Sequence, residues 1–227
     1  MYYKEWEPIY KKILDDFNFS LIDDERSADF LNNMLQKNNL YDVRKFGDMI
    51  KDKEIIIFGA GSSLEKSIIK HKNFFVEKIK ISADGATTAL LKNNILPDII
   101  VTDLDGRVAD QIKANNKGST IVVHAHGDNI DKIKKYVPRF TGPIIGTTQT
   151  NPINYEKLNN FGGFTDGDRA IHLADHFHAK KIYLIGFDFN EIIGEYSFAE
   201  KKDKNLKLKK LEWCKKLIDK IENIQYL

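Results

Sequence analysis

Pro97-Asp98-Ile99-Ile100-Val101-Thr102-Asp103-Leu104-Asp105-Gly106 is a short β-branched run that stops in two aspartates and a glycine. An apolar strand closed by an acidic turn is how an α/β protein offers carboxylates at the edge of its sheet. If the segment stays extended, Asp103 and Asp105 point the same way, because side chains alternate faces along a strand. No basic residue separates them. Two like charges on one side need water or a cation between them, and a hard, oxygen-preferring ion such as Mg²⁺ suits them. The competing reading is an acidic solvated loop with an Asx-type turn.

Outward from this stretch the same rhythm repeats. From Glu54 onward the chain alternates strand, polar turn and helix. Strands are predicted at Ile55–Phe58, Lys78–Ser82, Ile99–Val101, Thr120–Val123, Pro143–Gly146 and Lys181–Ile185. Most are nearly continuous Ile/Val/Leu runs, as parallel strands covered on both faces require. Helical spacing occupies roughly 62–72, 86–94, 107–116, 129–136 and 167–179, and a long amphipathic helix is predicted at about 206–223. Alternation of this kind predicts an α/β fold: an open, mostly parallel, doubly wound sheet.

The first 50 residues read differently. Trp6, Ile9, Tyr10, Ile13, Leu14 and Phe17 recur at helical spacing, then Phe30, Leu31, Met34 and Leu35 do so again, with no glycine before Gly47. Residues 1–50 are therefore predicted to be a helical cap or an oligomerisation element, and residues 51–227 the α/β catalytic domain. A homo-oligomer stays open on this reading.

The bulk properties exclude several classes. A formal net charge of +2 over 227 residues gives no reason to expect nucleic acid or an acidic membrane as partner. The basic run from Lys201 to Lys210 is interleaved with Asp203, Leu206 and Leu208, so it reads as the solvated lead-in of the last helix. The single cysteine, Cys214, implies no disulfide and reads as a small buried hydrophobe. No apolar run approaches 18 residues and the N-terminus lacks a signal-peptide core, so a soluble, cytoplasmic protein is expected.

The polar residues follow the sheet. The successive strands run into Gly59-Ala60-Gly61-Ser62-Ser63, Ala83-Asp84-Gly85-Ala86-Thr87, Thr102-Asp103-Leu104-Asp105-Gly106, His124-Ala125-His126-Gly127-Asp128-Asn129, Gly146-Thr147-Thr148-Gln149 and Gly186-Phe187-Asp188. Every one lies at a carboxyl end, the ligand-binding edge of such sheets. That co-location favours the metal reading of Asp103 and Asp105. In the first turn, Gly59 and Gly61 permit a tight bend, and the N–H groups of Ser62 and Ser63 would face an anion; a plain strand-to-helix turn with a serine cap competes. The third glycine of a dinucleotide fingerprint is absent, Leu64 standing in its place. His124 and His126 share a side of an extended segment, where substrate contact, a core histidine or zinc compete. Asp128 is either a helix cap or a ligand. In Phe161-Gly162-Gly163-Phe164-Thr165-Asp166-Gly167-Asp168-Arg169, the arginine suits a phosphate and Phe161 or Phe164 a flat ring. The alternative is that Asp166 or Asp168 caps a helix and pairs with Arg169.

Taken together, these motifs resemble the archaeal 6-hydroxymethyl-7,8-dihydropterin pyrophosphokinases of the MptE type, over about residues 54–190. More distantly they are similar to thiamin pyrophosphokinases, with Thr102 in place of a glycine and Gly106 in place of a serine around the aspartate pair. A glycosyltransferase-like family linked to flagellin modification shares part of the pattern. The resemblance implies a Mg²⁺-dependent transfer of pyrophosphate from ATP, as co-substrate, to the hydroxymethyl group of a reduced pterin, releasing AMP, in tetrahydromethanopterin- or folate-type biosynthesis. It implies Asp103, Asp105, Arg169 and His126 as catalytic. Asp103, Asp105, Asp84 and Asp128 would hold metal, and Gly59, Gly61, Ser62, Ser63, Asp84, Gly85, Asp166 and Asp168 the nucleotide. The Thr147–Gln149 turn and the Phe161–Phe164 loop are expected at the pterin. A glycosyltransferase-like nucleotide-sugar enzyme, a thiamin-type pyrophosphokinase and a non-catalytic nucleotide-binding module are the alternatives.

Overall fold

The computed structural model describes residues 1–35, 40–189, 194–197 and 204–227. Three helices come first: α1 (Tyr3–Phe17), α2 (Leu21–Met34) and α3 (Val43–Ile50). Alternation then follows as β1 (Glu54–Phe58), α4 (Leu64–His71), β2 (Ile79–Ala83), α5 (Ala86–Lys92), β3 (Ile99–Thr102), α6 (Val108–Asn115), β4 (Thr120–Ala125), α7 (Ile130–Tyr136) and β5 (Ile144–Thr148). The chain closes with β6 (Leu158–Asn159), α8 (Asp166–His176), β7 (Lys181–Ile185), α9 (Lys204–Ile218) and β8 (Ile224–Tyr226). The eight strands form one sheet, all parallel, in the order β6-β5-β4-β3-β2-β1-β7-β8.

Strand alternation sorts the core onto two faces. Ile55, Ile57, Ile81, Ile99, Val101, Val122 and Leu184 pack with Phe46 and Ile50 of α3 and Ile171 and Leu173 of α8. On the opposite face, Ile100, Ile121 and Val123 meet Ala28 and Leu31 of α2, Val108 of α6 and Ile133 of α7. Ile56 and Phe58 meet Leu64 and Ile68 of α4. Both faces are thus covered, which is why the strands read as unbroken apolar runs. Trp6, Tyr10 and Ile13 of α1 pack on Phe164 and on Leu217 of α9. Trp6 and Tyr10 are therefore core residues, as their spacing suggests.

Two elements escape the sequence pattern. The last helix ends at Ile218, not 223, and residues 224–226 add β8 beside β7. Asn223 ties the chain beside β7 just before β8: its carbonyl accepts from Ile182 N–H (2.9 Å) and its Nδ2 donates to Ala179 O (2.7 Å). The two-residue β6 is too short for any period to register. Residues 201–203 of the basic run lie outside the described residues. Among the described residues no helix is long and apolar enough to cross a membrane.

The chain runs outward from β1 to β6 on one side, then returns to place β7 and β8 on the other. The order of the strand ends along the sheet edge is therefore Gln149, His126, Asp103, Asp84, Gly59 and Asp188, and this row lines the floor of one large cleft.

Candidate active site

The cleft encloses about 530 Å³, within the range of small-molecule sites. Its centre is carboxylate. One oxygen each from Asp84, Asp103 and Asp166 lies within 4.8 Å of the others. Asp84 directly follows β2, Asp103 directly follows β3, and Asp166 opens α8, which packs against these strands. Asp84 sits at φ 41°, a left-handed value that costs a non-glycine residue energy. Three donors hold its Oδ1: Thr102 Oγ1 (2.7 Å), Gln111 Nε2 (2.7 Å) and Gly106 N–H (3.1 Å). A Cβ on Gly106 would land on this carboxylate, so the glycine after the aspartate pair is required by Asp84. Burial, then the charge of Asp103, pushes the Asp84 carboxyl up to about 6. Burial and Asp103 also push Asp166 well above the usual carboxylate range, against the pull of Arg169.

The aspartate pair itself does not form as an extended strand. β3 stops at Thr102, and Leu104 is buried at φ 68°. Asp103 Oδ1 accepts Asp105 N–H (3.1 Å), an Asx turn. The two carboxylates are consequently split between partners. Asp103 faces Asp84 and Asp166, whereas Asp105 pairs with Lys132. Both still line the cleft.

His126 bridges the next turn. Its Nε2 lies 3.2 Å from Asp103 Oδ2 and its Nδ1 2.9 Å from Asp128 Oδ1. Burial opposes its charge, but hydrogen bonds to Asp103 and Asp128 prevail and raise it to about 9, an imidazolium at neutral pH. His126 in turn holds Asp128 below its usual range. Asp128 does not cap α7; Asn129 occupies that position. His124 faces the interior, with Nδ1 3.1 Å from Thr147 Oγ1, and burial first of all keeps it well below its usual value.

On α8 the two aspartates separate. Asp168 accepts the N–H groups of Phe164 and Thr165 (both 2.7 Å) in a capping box. Burial raises it to about 6, and it does not line the cleft. Arg169 pairs with Asp166 (3.0 Å) and does line it. Gly163, at φ 93°, lets the loop pass over Arg169: a Cβ there would lie 2.6 Å from its Cα. Of the residues expected at a flat ring, Phe164 and Gln149 line the cleft, while Thr147, Thr148 and Phe161 face a small separate pocket behind it.

The glycine turn after β1 has its own occupant. Ser63 N–H donates to Asp188 Oδ2 (2.7 Å), and Ser62 Oγ reaches the same oxygen (3.2 Å). Gly59 and Gly61 lie against Gly186; a Cβ on Gly59 would stand 2.7 Å from its carbonyl oxygen. Close packing of two strand ends explains these glycines. Neither serine caps the helix with its side chain. Gly85 lies beside Asp84 on the cleft wall.

Sequence reasoning missed several lining residues. Asp24 and Phe19 come from the α1–α2 region, and Lys207 and Lys210 from α9. Nothing in the local sequence marks Asp24 or Phe19; Lys207 and Lys210 belong to the basic run that reads as a solvated lead-in, and the structure corrects that reading by placing both on the cleft.

A family model described as 6-hydroxymethylpterin diphosphokinase MptE-like matches residues 28–194. Three relatives are named 6-hydroxymethyl-7,8-dihydropterin pyrophosphokinase. The one from Methanocaldococcus jannaschii is 48% identical, covering 99% of this chain and 98% of the relative. That from Pyrococcus furiosus is 41% identical (98% and 95% covered), and that from Methanothermobacter thermautotrophicus 43% (96% and 94%). Among solved structures, the MAf glycosyltransferase of Magnetospirillum magneticum AMB-1 superposes with a TM-score of 0.51 at 16% identity, over 78% of this chain. This chain spans about a third of that protein (34%), and the likeness is one of fold alone.

Proposed function

The chain belongs to the MptE-like 6-hydroxymethylpterin diphosphokinase family, and from that premise we propose that it transfers the pyrophosphoryl group of ATP to 6-hydroxymethyl-7,8-dihydropterin. The acceptor's hydroxymethyl oxygen attacks the β-phosphorus, the bond from that phosphorus to the α,β-bridging oxygen breaks, AMP leaves, and the hydroxyl proton is lost to solvent. The observation that carries the reading is the carboxylate triad Asp84, Asp103 and Asp166 at the centre of a cleft large enough for both substrates.

Three mutually repelling carboxylates, two of them pushed up by burial and by Asp103, fit a hard divalent cation. Asp84, Asp103 and Asp166 would hold Mg²⁺, which when bound neutralises charge on the β- and γ-phosphates. Asp105 and Asp128, each already facing a cation, would border that site. His126, held between Asp103 and Asp128, would orient Asp103. Arg169 would stabilise charge on the transferred group. Lys207 and Lys210 of α9, which line the same cleft, would meet the polyphosphate. The turn at Ser62 and Ser63 is not assigned a phosphate, because the Asp188 carboxylate takes its donors. Phe19 and Phe164 provide a face for a flat ring.

The deciding experiment incubates purified protein with ATP, Mg²⁺ and a panel of hydroxymethyl acceptors that includes the dihydropterin and thiamin, and follows AMP. AMP formed only with the dihydropterin is the expected result. No AMP with any acceptor overturns the proposal, and AMP with thiamin alone reassigns the substrate.

A further inference from the structure

The N-terminal helices hold a buried acid that the proposed reaction does not use. Asp24 of α2 is 3% exposed. Its Oδ1 accepts Gly127 N–H (2.7 Å), and its Oδ2 accepts Gln149 Nε2 (2.7 Å) and Tyr10 Oη (2.5 Å). One carboxylate therefore joins α1, α2, the β4 turn and the β5 turn. A second tie runs alongside it. Ser27 Oγ donates to Asn129 Oδ1 (2.9 Å), and Asn129 Nδ2 donates to the carbonyls of His124 (2.7 Å) and Asp103 (3.1 Å).

What these ties hold is catalytic geometry. Gly127 sits between His126 and Asp128, and His126 reaches both Asp128 (2.9 Å) and Asp103 (3.2 Å). Gln149 Oε1 stands 3.5 Å from Arg169 Nη2. α2 also packs so closely on this turn that a Cβ at Gly127 would lie 3.1 Å from Asp23 Cβ. We infer that Asp24 is a positioning residue: through Gly127 and Gln149 it fixes His126 and Arg169 on either side of the carboxylate triad. The N-terminal segment is then part of the active site, not an appendage to it.

This inference rests on the pyrophosphokinase reading, and the wild-type protein separates the two: no AMP from wild type condemns the reaction, whatever Asp24 does. Given AMP from wild type, kcat, both KM values and the melting temperature are measured for Asp24→Asn, Asp24→Ala and Tyr10→Phe. Asp24→Asn keeps the shape and an acceptor for Gly127 but loses the acceptor for Gln149. It is expected to lower kcat about 10-fold with both KM values within about 2-fold, and Asp24→Ala about 100-fold, the scale on which misplacement of about 1 Å is felt. Tyr10→Phe removes a partner of Asp24 that reaches neither turn, so it is expected to lower the melting temperature but leave kcat within about 2-fold, since no reacting group shifts. Retained kcat in Asp24→Asn overturns the inference. So does a loss in Tyr10→Phe equal to that in Asp24→Asn, which would mean the network only holds the helices together. Asp24→Asn tests the idea even if Asp24→Ala does not fold.

Discussion

The turn after β1 and the pair of turns after β2 and β3 all carry glycine and acid, and they are built on opposite principles. At the β1 turn, the N–H of Ser63 and the hydroxyl of Ser62 meet the protein's own carboxylate, Asp188. At the β2 and β3 turns, Asp84 and Asp103 face each other and Asp166, with Arg169 on Asp166 and His126 on Asp103. The first turn is satisfied within the fold. The second gathers three carboxylates, and burial first, then the charge of Asp103, raises Asp84 and Asp166 out of their normal range. A satisfied polar group reports on structure, while an uncompensated one reports on a ligand.

The comparison breaks most readily at Asp103. Asp103→Asn should lower kcat by about 100- to 1,000-fold, the usual scale for losing a group that organises charge in the transition state, with the melting temperature near wild type. Activity close to wild type in Mg²⁺ would move the cation elsewhere. Next in size is acid dependence. Because Asp84 is raised to about 6, cation binding must displace a proton below that pH. Mg²⁺ affinity, followed by calorimetry, should fall as pH drops below 6, by up to about tenfold per unit for each proton displaced.

The sign reverses for the metal-free protein. A raised acid favours its protonated form in the folded state, so its stabilising contribution is present below the unfolded value of 3.8 and is lost as pH rises through about 6. Metal-free Asp84→Asn should therefore melt higher than wild type at pH 7.5 and show no such advantage at pH 4. An equal difference at both pH values would remove the charge explanation. On the cleft wall, Lys207→Ala and Lys210→Ala should each raise KM for ATP about 5-fold, leaving the pterin KM within about 2-fold, as the loss of one phosphate-facing charge implies. The smallest effect on activity belongs to the satisfied turn. Asp188→Ala should cost about 1.5–3 kcal/mol of stability, as expected for a lost hydrogen bond to a charged acceptor, with kcat within a few-fold. A large loss of kcat there would erase the contrast between the turns.

The alternating strand and helix rhythm made the parallel sheet legible, because strands buried on both faces must be apolar throughout. Asp84, Asp103, His126 and Arg169 were legible because strand ends and helix starts are marked by glycine and acid. The partition of the aspartates was not. Asp105 turned to Lys132 because Leu104 adopts a left-handed backbone that ends strand alternation one residue early. Asp168 became a cap, and Asp166 the third carboxylate, through a difference of two residues along one helix turn. The glycines of the β1 turn suggested a phosphate seat, but they answer to Gly186, 127 and 125 positions later in the chain.

By itself, then, the sequence determined the α/β sheet, the edge at which its polar turns gather and the class of chemistry that edge suits, because all three depend on local periodicity and on turn residues. Only the tertiary structure decided which acids meet. The strand order sets Asp84 beside Asp103, the packing of α8 against these strands brings Asp166 to both, and α2 delivers Asp24 to the β4 and β5 turns. Carboxylates far apart in the chain acquire a shared charge only when folding sets them a few ångströms apart out of bulk water, and no spacing along the sequence encodes that distance.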